Sequence, residues 1–282
     1  MEKHFDKNEL DYFLKLLSTA KDETSIESYI YIKNMLNSIE FPIPITIYPV
    51  GKEFIRSRIH KENEGLFDTV DQLSYRMDIG NIKTFGRANE PGQSVFYCSD
   101  NYNLSLAETS QILREQIEEE FECMTTGTWI STEELKVVSL LTNENIKGQH
   151  AEIDESSKSF ENIISMQNDE SAFVFKNLYQ FLSKEFSQIA RGNSNHYKIT
   201  SAFTNYIFDS VKVADGILYP SAIYPTEGFN FAFKPKIVDN KMKFHVAEWR
   251  KNQTYCNKKY IQVEKIESEI NETNSNIIKW LY

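Results

Sequence analysis

Cysteine and glycine are scarce in this chain, with three and ten in 282 residues. Cys98, Cys123 and Cys256 stand at no paired spacing. Neither a disulfide framework nor a CxxC thiolate cage is expected, and the usage fits a reducing cytoplasm. The ten glycines form no GxxxxGK loop and no GxGxxG turn, which removes the two commonest phosphate-cradling motifs. His4, His60, His150, His196 and His245 are scattered without HExxH spacing, so no metal site is expected. A GxSxG nucleophile elbow is missing as well. No apolar run is long enough to span a bilayer, and the opening MEKHFDKNELDYF has no signal-peptide core. The sequons at Asn103, Asn252 and Asn271 therefore carry no expectation of glycosylation. Basic charge is in deficit: 31 Lys and Arg against 41 Asp and Glu give a net charge of -10. A protein that binds nucleic acid through its phosphates is excluded by that balance, and no membrane partner is expected.

What is present is ordinary for a folded protein, 40% hydrophobic and 26% charged. The length suits one large domain, or one domain with an extension. NELDYFLKLLSTA and SIESYIYIKNMLNSI carry apolar residues at helical spacing, which predicts an N-terminal helical extension over 1–45. Prolines in FPIPITIYP then break the helical pattern. KEFIRSRIH alternates, placing Phe54, Arg56 and Arg58 on one face of a strand. QILREQIEEEFECM is expected to continue a helix, with Glu118–Glu120 as a solvated acidic face. LKVVSLL reads as a buried strand, and the segment 156–190 as two helices broken near Asn168–Asp169. HYKITSAFTNYIFDS follows as an amphipathic helix with Ile199, Phe203, Tyr206 and Ile207 on one face. DGILYPSAIYPTEGFNFAFKP turns to strands, punctuated by Pro220, Pro225 and Gly228, and two more strands end the chain. Strands and helices without βαβ alternation predict an α+β fold.

The residues that carry chemistry cluster in TFGRANEPGQSVFYCSDNYNLSLAETS, Thr84 to Ser110. It reads as a turn bearing Arg87, a Pro-Gly turn, a short strand ending at Tyr97 and a helix bearing Glu108. Each has an ordinary explanation. Arg56 and Arg58 are equally well an exposed strand face, Arg87 a solvated turn arginine and Glu108 a surface helix residue. Tyr97 is more often core, and Ser221, after Tyr219-Pro220, suits a turn or cap.

Their order points further. GRANEPGQSVFYCSDNYNLSLAET resembles the signature of the RES domain family: Gly-Arg-x-Asn, a Pro-Gly turn, an apolar strand with Tyr, then Leu-Ala-Glu on a helix. FIRSRI resembles the family's Arg-x-Arg strand, and ADGILYPSAIYPTEGFNFAFKP its late strands. The three blocks run in family order from Glu53 to Pro235. The resemblance implies an ADP-ribosyltransferase-like fold, with a split mixed β-sheet core and surrounding helices, as an NAD-binding catalytic domain over 46–282. It implies an enzyme that degrades NAD+, in many members the toxin of a toxin–antitoxin pair with a cognate antitoxin as partner. Carried over by position, the acid is Glu108, the aromatic Tyr97, the turn arginine Arg87 and the serine Ser221. The first-strand arginine is Arg56, with Arg58 its rival.

These residue types suit the reaction. Breaking the nicotinamide–ribose bond passes through an oxocarbenium-like state. A carboxylate such as Glu108 favours that cation, arginines grip phosphates bidentately, and Tyr97 offers a ring to the nicotinamide. Ser221 is suited to bond the carboxamide or a phosphate. Water as acceptor makes a glycohydrolase, phosphate a phosphorylase, and a protein side chain an ADP-ribosyltransferase; the sequence does not choose. An interaction module without catalysis is the reading from another class.

Overall fold

A computed structural model of the protein describes residues 6–39, 42–115, 117–118, 120–141, 151–189, 192–224, 228–255 and 260–282. His4, Glu119, His150, Pro225 and Cys256, named above, lie outside the described residues. The chain forms two compact units, Met1–Tyr48 with Asp78–Val95 and Lys136–Glu227, and Pro49–Met77 with Phe96–Leu135 and Gly228–Tyr282.

In the first unit, short polar side chains start the helices. Asp6 opens α1 (Lys7–Asp22) with a reciprocal capping box to Glu9, Ser25 caps α2 (Ile26–Asn37), and Asn168 caps α6 (Asp169–Ser187). Asn168 thus separates α6 from α5 (Ala151–Ser165), at the break expected from sequence. The apolar stripes Leu10, Phe13 and Leu17 of α1, Leu178, Leu182 and Phe186 of α6, and Ile199, Phe203 and Ile207 of α7 (Lys198–Ser210) are buried. Tyr206, expected on that α7 face, is only half-buried. Strands run in the order β1 (Ile45–Tyr48), β5 (Leu135–Ser139), β6 (Gly216–Pro220), with β5 and β6 parallel and Val138 opposite Ile217.

Two buried lysines tie the N-terminal helices into this unit. Lys198, fully buried, donates to the carbonyls of Glu23 and Ser25 and to the Ser28 hydroxyl, pinning the α1–α2 turn to α7. Lys21 of α1 meets Glu185 of α6 at 2.8 and 3.1 Å, both side chains buried.

The second unit is an antiparallel run in the order β7 (Phe229–Phe233), β3 (Phe96–Ser99), β2 (Glu53–Ile59), β4 (Phe121–Ser131), β8 (Met242–Thr254), β9 (Tyr260–Ser268), β10 (Trp280–Leu281). Two short helices, α3 (Tyr102–Thr109) and α4 (Gln111–Arg114), lie between β3 and β4, and α8 (Pro235–Lys241) precedes β8. With parallel pairing in one unit, antiparallel pairing in the other and eight helices among the described residues, the fold is α+β.

One expectation fails here. QILREQIEEEFECM does not continue a helix: α4 ends at Arg114, and β4 begins at Phe121. Ser110 adopts an extended backbone that stops α3, its hydroxyl then caps α4, and the Thr-rich run Met124–Thr128 that follows favours a pleated strand. Nor does the strand before α3 end at Tyr97; it continues to Ser99.

Gly127 of β4 faces Arg56 across the ladder, and a Cβ there would lie 2.6 and 2.8 Å from Trp129 ring atoms and 3.3 Å from Phe244. Gly127→Ala is expected to destabilise the fold by about 1–3 kcal/mol, the usual range for overpacking; an unchanged urea midpoint would show that the Trp129 ring yields. Among the described residues no helix is long and apolar enough to cross a membrane.

Candidate active site

Register decides which side chains of the second unit meet. Ile55 pairs with Ser99, Ser57 with Thr126, and Ser99 with Asn230. Directly opposed residues share a face, and successive residues along a strand change face. Ser57, Tyr97, Ser99 and Asn230 therefore share one face. α3 packs there, through the 2.9 Å bond between the Ser57 and Ser105 hydroxyls. Phe54, Arg56 and Arg58 take the opposite face with Phe96, Phe231 and Phe233, where the Phe54 ring meets those of Phe231 and Phe233 edge-on. Tyr97 and the helix of Glu108 are thus on one face of this sheet, and Arg56 and Arg58 on the other.

Glu108 sits in the last turn of α3, half-buried, and its Oε1 accepts a 2.8 Å bond from Asn230 Nδ2. Asn230 Oδ1 in turn accepts from the Ser99 hydroxyl at 2.6 Å. Asn101 caps α3, accepting from Leu104 N at 2.8 Å. The carboxylate is therefore held from both sides, by a capped helix and by an asparagine on β7.

Arg56 joins this arrangement through the backbone. Among the described residues, Ile55–Ser99 is the single paired position between β2 and β3. Beyond it, Arg56 Nη1 donates to the Tyr97 carbonyl at 2.8 Å, taking the place of a ladder bond as the strands part. Its Nε donates to the Leu73 carbonyl at 2.8 Å, and the Phe96 ring lies under the guanidinium at 5.5 Å. Burial pulls the Arg56 guanidinium down to about 10, with Arg58 adding to the decrease and Cys98 opposing it; it stays charged at neutral pH. Arg58 is engaged elsewhere. It donates to the Gln72 carbonyl at 2.5 Å, pairs with Glu64 at 3.1 Å and stacks over Phe67 at 4.5 Å. Both arginines thus hold the loop after β2, which Asn276, Ile278 and Trp280 also anchor through Val70, Asp68 and Phe67.

Arg87 and Ser221 belong to the first unit. Arg87 Nη1 donates to the carbonyl of Phe186 and, at 2.9 Å, to that of Gln188, closing the C-terminal end of α6. A cation on those unpaired carbonyls also favours the helix dipole. The Tyr197 and Tyr219 rings lie 5.0 and 5.9 Å from its guanidinium carbon. The Arg87 loop is braced by Gln93, which donates to Asn205 at 2.6 Å, while Asn205 donates to the Tyr29 hydroxyl at 3.0 Å. Ser221 is fully buried, and its hydroxyl accepts from Ile223 N and Tyr224 N, both at 3.0 Å, which is the turn-forming role open to a serine after Pro220.

Sequence reasoning missed Ser99 and Asn230. The available signal was a single amide inside the aromatic strand FNFAF, a polar residue where alternation offers nothing to satisfy it.

No curated protein matches the chain. The model of the RES domain family matches residues 57–250, which spans Arg58, Arg87, Tyr97, Glu108, Ser221 and Asn230 and begins one residue after Arg56. That family is consistent with an enzyme acting on NAD+, and its domain is compatible with an ADP-ribosyltransferase-like fold. The match extends over more than half of the sequence and includes the second and third motif blocks and the end of the first, and the chain belongs to the RES domain family.

Proposed function

We propose that this protein degrades NAD+ by cleaving the bond between nicotinamide and ribose, and that it acts as a toxin or effector that depletes NAD+, with a cognate antitoxin protein as partner. The observation that carries the reading is Glu108, held by α3 and by Asn230 on the sheet face that Tyr97 shares, in a chain of the RES domain family. As the bond breaks, its electron pair stays on the nicotinamide nitrogen and cancels the pyridinium charge. The leaving group departs neutral and needs no strong acid. Positive charge grows at the ribose carbon, and the Glu108 carboxylate stabilises it. A lone pair of the acceptor then bonds that carbon, and the acceptor's proton passes to solvent. Tyr97 supplies a ring for the nicotinamide. Arg56 acts by fixing the Tyr97 backbone, and this contact favours it over Arg58 as the site arginine of the first strand. Arg87 as pyrophosphate clamp and Ser221 as carboxamide or phosphate contact rest on the resemblance rather than on a distance.

The acceptor is tested by incubating the protein with NAD+ in buffers with and without inorganic phosphate and weighing the ribosyl product. Water gives ADP-ribose and phosphate gives a phosphorylated ADP-ribose. Mass added to a protein instead of a small product would replace degradation with protein modification. Arg87→Ala is expected to weaken NAD+ binding by at least about tenfold, in keeping with the loss of a charge-assisted clamp. Unchanged affinity by calorimetric titration would leave Arg87 only its role at the end of α6.

A further inference from the structure

Glu108 is the carboxylate on which the proposed chemistry depends, yet a glutamate on a helix end has three rotatable bonds. Its orientation here comes from outside the helix. Asn230 lies on β7, directly opposite Ser99 of β3, and is 94% buried. Its amide could in principle present either end to Glu108. The oxygen end would set two acceptors against each other, whereas the nitrogen end donates. The carboxylate only accepts, so it takes the Nδ2 end, at 2.8 Å to Glu108 Oε1, and the Ser99 hydroxyl donates to the Oδ1 end at 2.6 Å, which satisfies both ends of the amide. Ser99 is itself buried, 3% exposed, at its pair with Ile55 of β2. The relay thus begins on β3 and ends on the acid.

From this geometry we infer that Asn230 is a positioning residue for Glu108, with Ser99 holding the other end of its amide. The inference rests on the reading of Glu108 as the residue that stabilises the ribosyl cation. Asn230 does not touch the reacting atoms; it sets where the carboxylate stands.

Two variants separate positioning from general support of the fold. Asn230→Ala removes the donor and is expected to lower kcat roughly 10²-fold, the cost of misplacing a reacting group by about an ångström, with KM for NAD+ little changed. Asn230→Asp keeps the shape but sets a second carboxylate against Glu108. Two carboxylates this close resist ionising together, so the acid limb of the pH–rate profile should move up by about one pH unit or more. Ser99→Ala should give a smaller loss of kcat that the Asn230→Ala background abolishes. Wild-type kcat in Asn230→Ala, or an unmoved acid limb in Asn230→Asp, would overturn the inference while leaving NAD+ cleavage intact. A parallel readout needs no activity: carbon-13 NMR of the Glu108 side-chain carboxyl in the wild type and Asn230→Asp, across pH. A midpoint higher in the variant supports the contact even if NAD+ is not the substrate, and identical midpoints would refute it.

Discussion

Replacing Glu108 with glutamine is expected to lower NAD+ turnover by roughly 10²–10³-fold, the usual cost of removing one preorganised electrostatic group, and to leave the protein folded. The fold should survive because glutamine has the same length and its side-chain oxygen still accepts from Asn230 Nδ2, so no buried donor is orphaned. Turnover should fall because a neutral amide cannot offset positive charge at the ribose carbon. The comparison is between nicotinamide release and the urea midpoint of the same preparation. Loss of both together would mark Glu108 as a structural residue, and turnover within threefold of wild type would remove it from the chemistry.

The second large effect lies in the first unit. Lys21 and Glu185 form a buried, bidentate pair between α1 and α6, and Gln188 donates a further 2.8 Å bond to the same Glu185 oxygen that Lys21 meets at 3.1 Å. Lys21→Met leaves the carboxylate buried without its cation, which should cost about 3–5 kcal/mol. Lys21→Met with Glu185→Leu removes both charges and should recover most of that loss, since replacing a buried pair by apolar groups is often neutral or better. Urea denaturation of the three proteins checks this. A single variant as stable as wild type would mean that water reaches Glu185 and that the pair contributes little to docking α1.

The local features of the fold were legible because local physics sets them. Helical spacing marked α1 and α2, Asn168 marked the break before α6, and the order of Arg-x-Arg, GRAN, LAET and the late strands marked the family. What escaped depends on partners distant in sequence. An arginine in a turn reads the same whether it meets solvent or the carbonyls of Phe186 and Gln188, some hundred residues away. Alternation put Arg56 and Arg58 on one face, but only the Ile55–Ser99 register reveals that Tyr97 and Asn230 are on the other. Asn230 could not be tied to Glu108 without knowing that β7 lies beside β3. The helix expected to continue past Arg114 failed for another reason: the glutamates of that run favour helix, while the Thr-rich strand beginning at Phe121 is stabilised by pairing with β2 and β8.

The most direct test of the central claim is to incubate the purified protein with NAD+ and quantify free nicotinamide by chromatography, beside Glu108→Gln at equal concentration. Stoichiometric nicotinamide release that the variant loses is the result expected of an enzyme that cleaves the nicotinamide–ribose bond through Glu108. NAD+ left intact by folded wild-type protein, with phosphate and without, would contradict it.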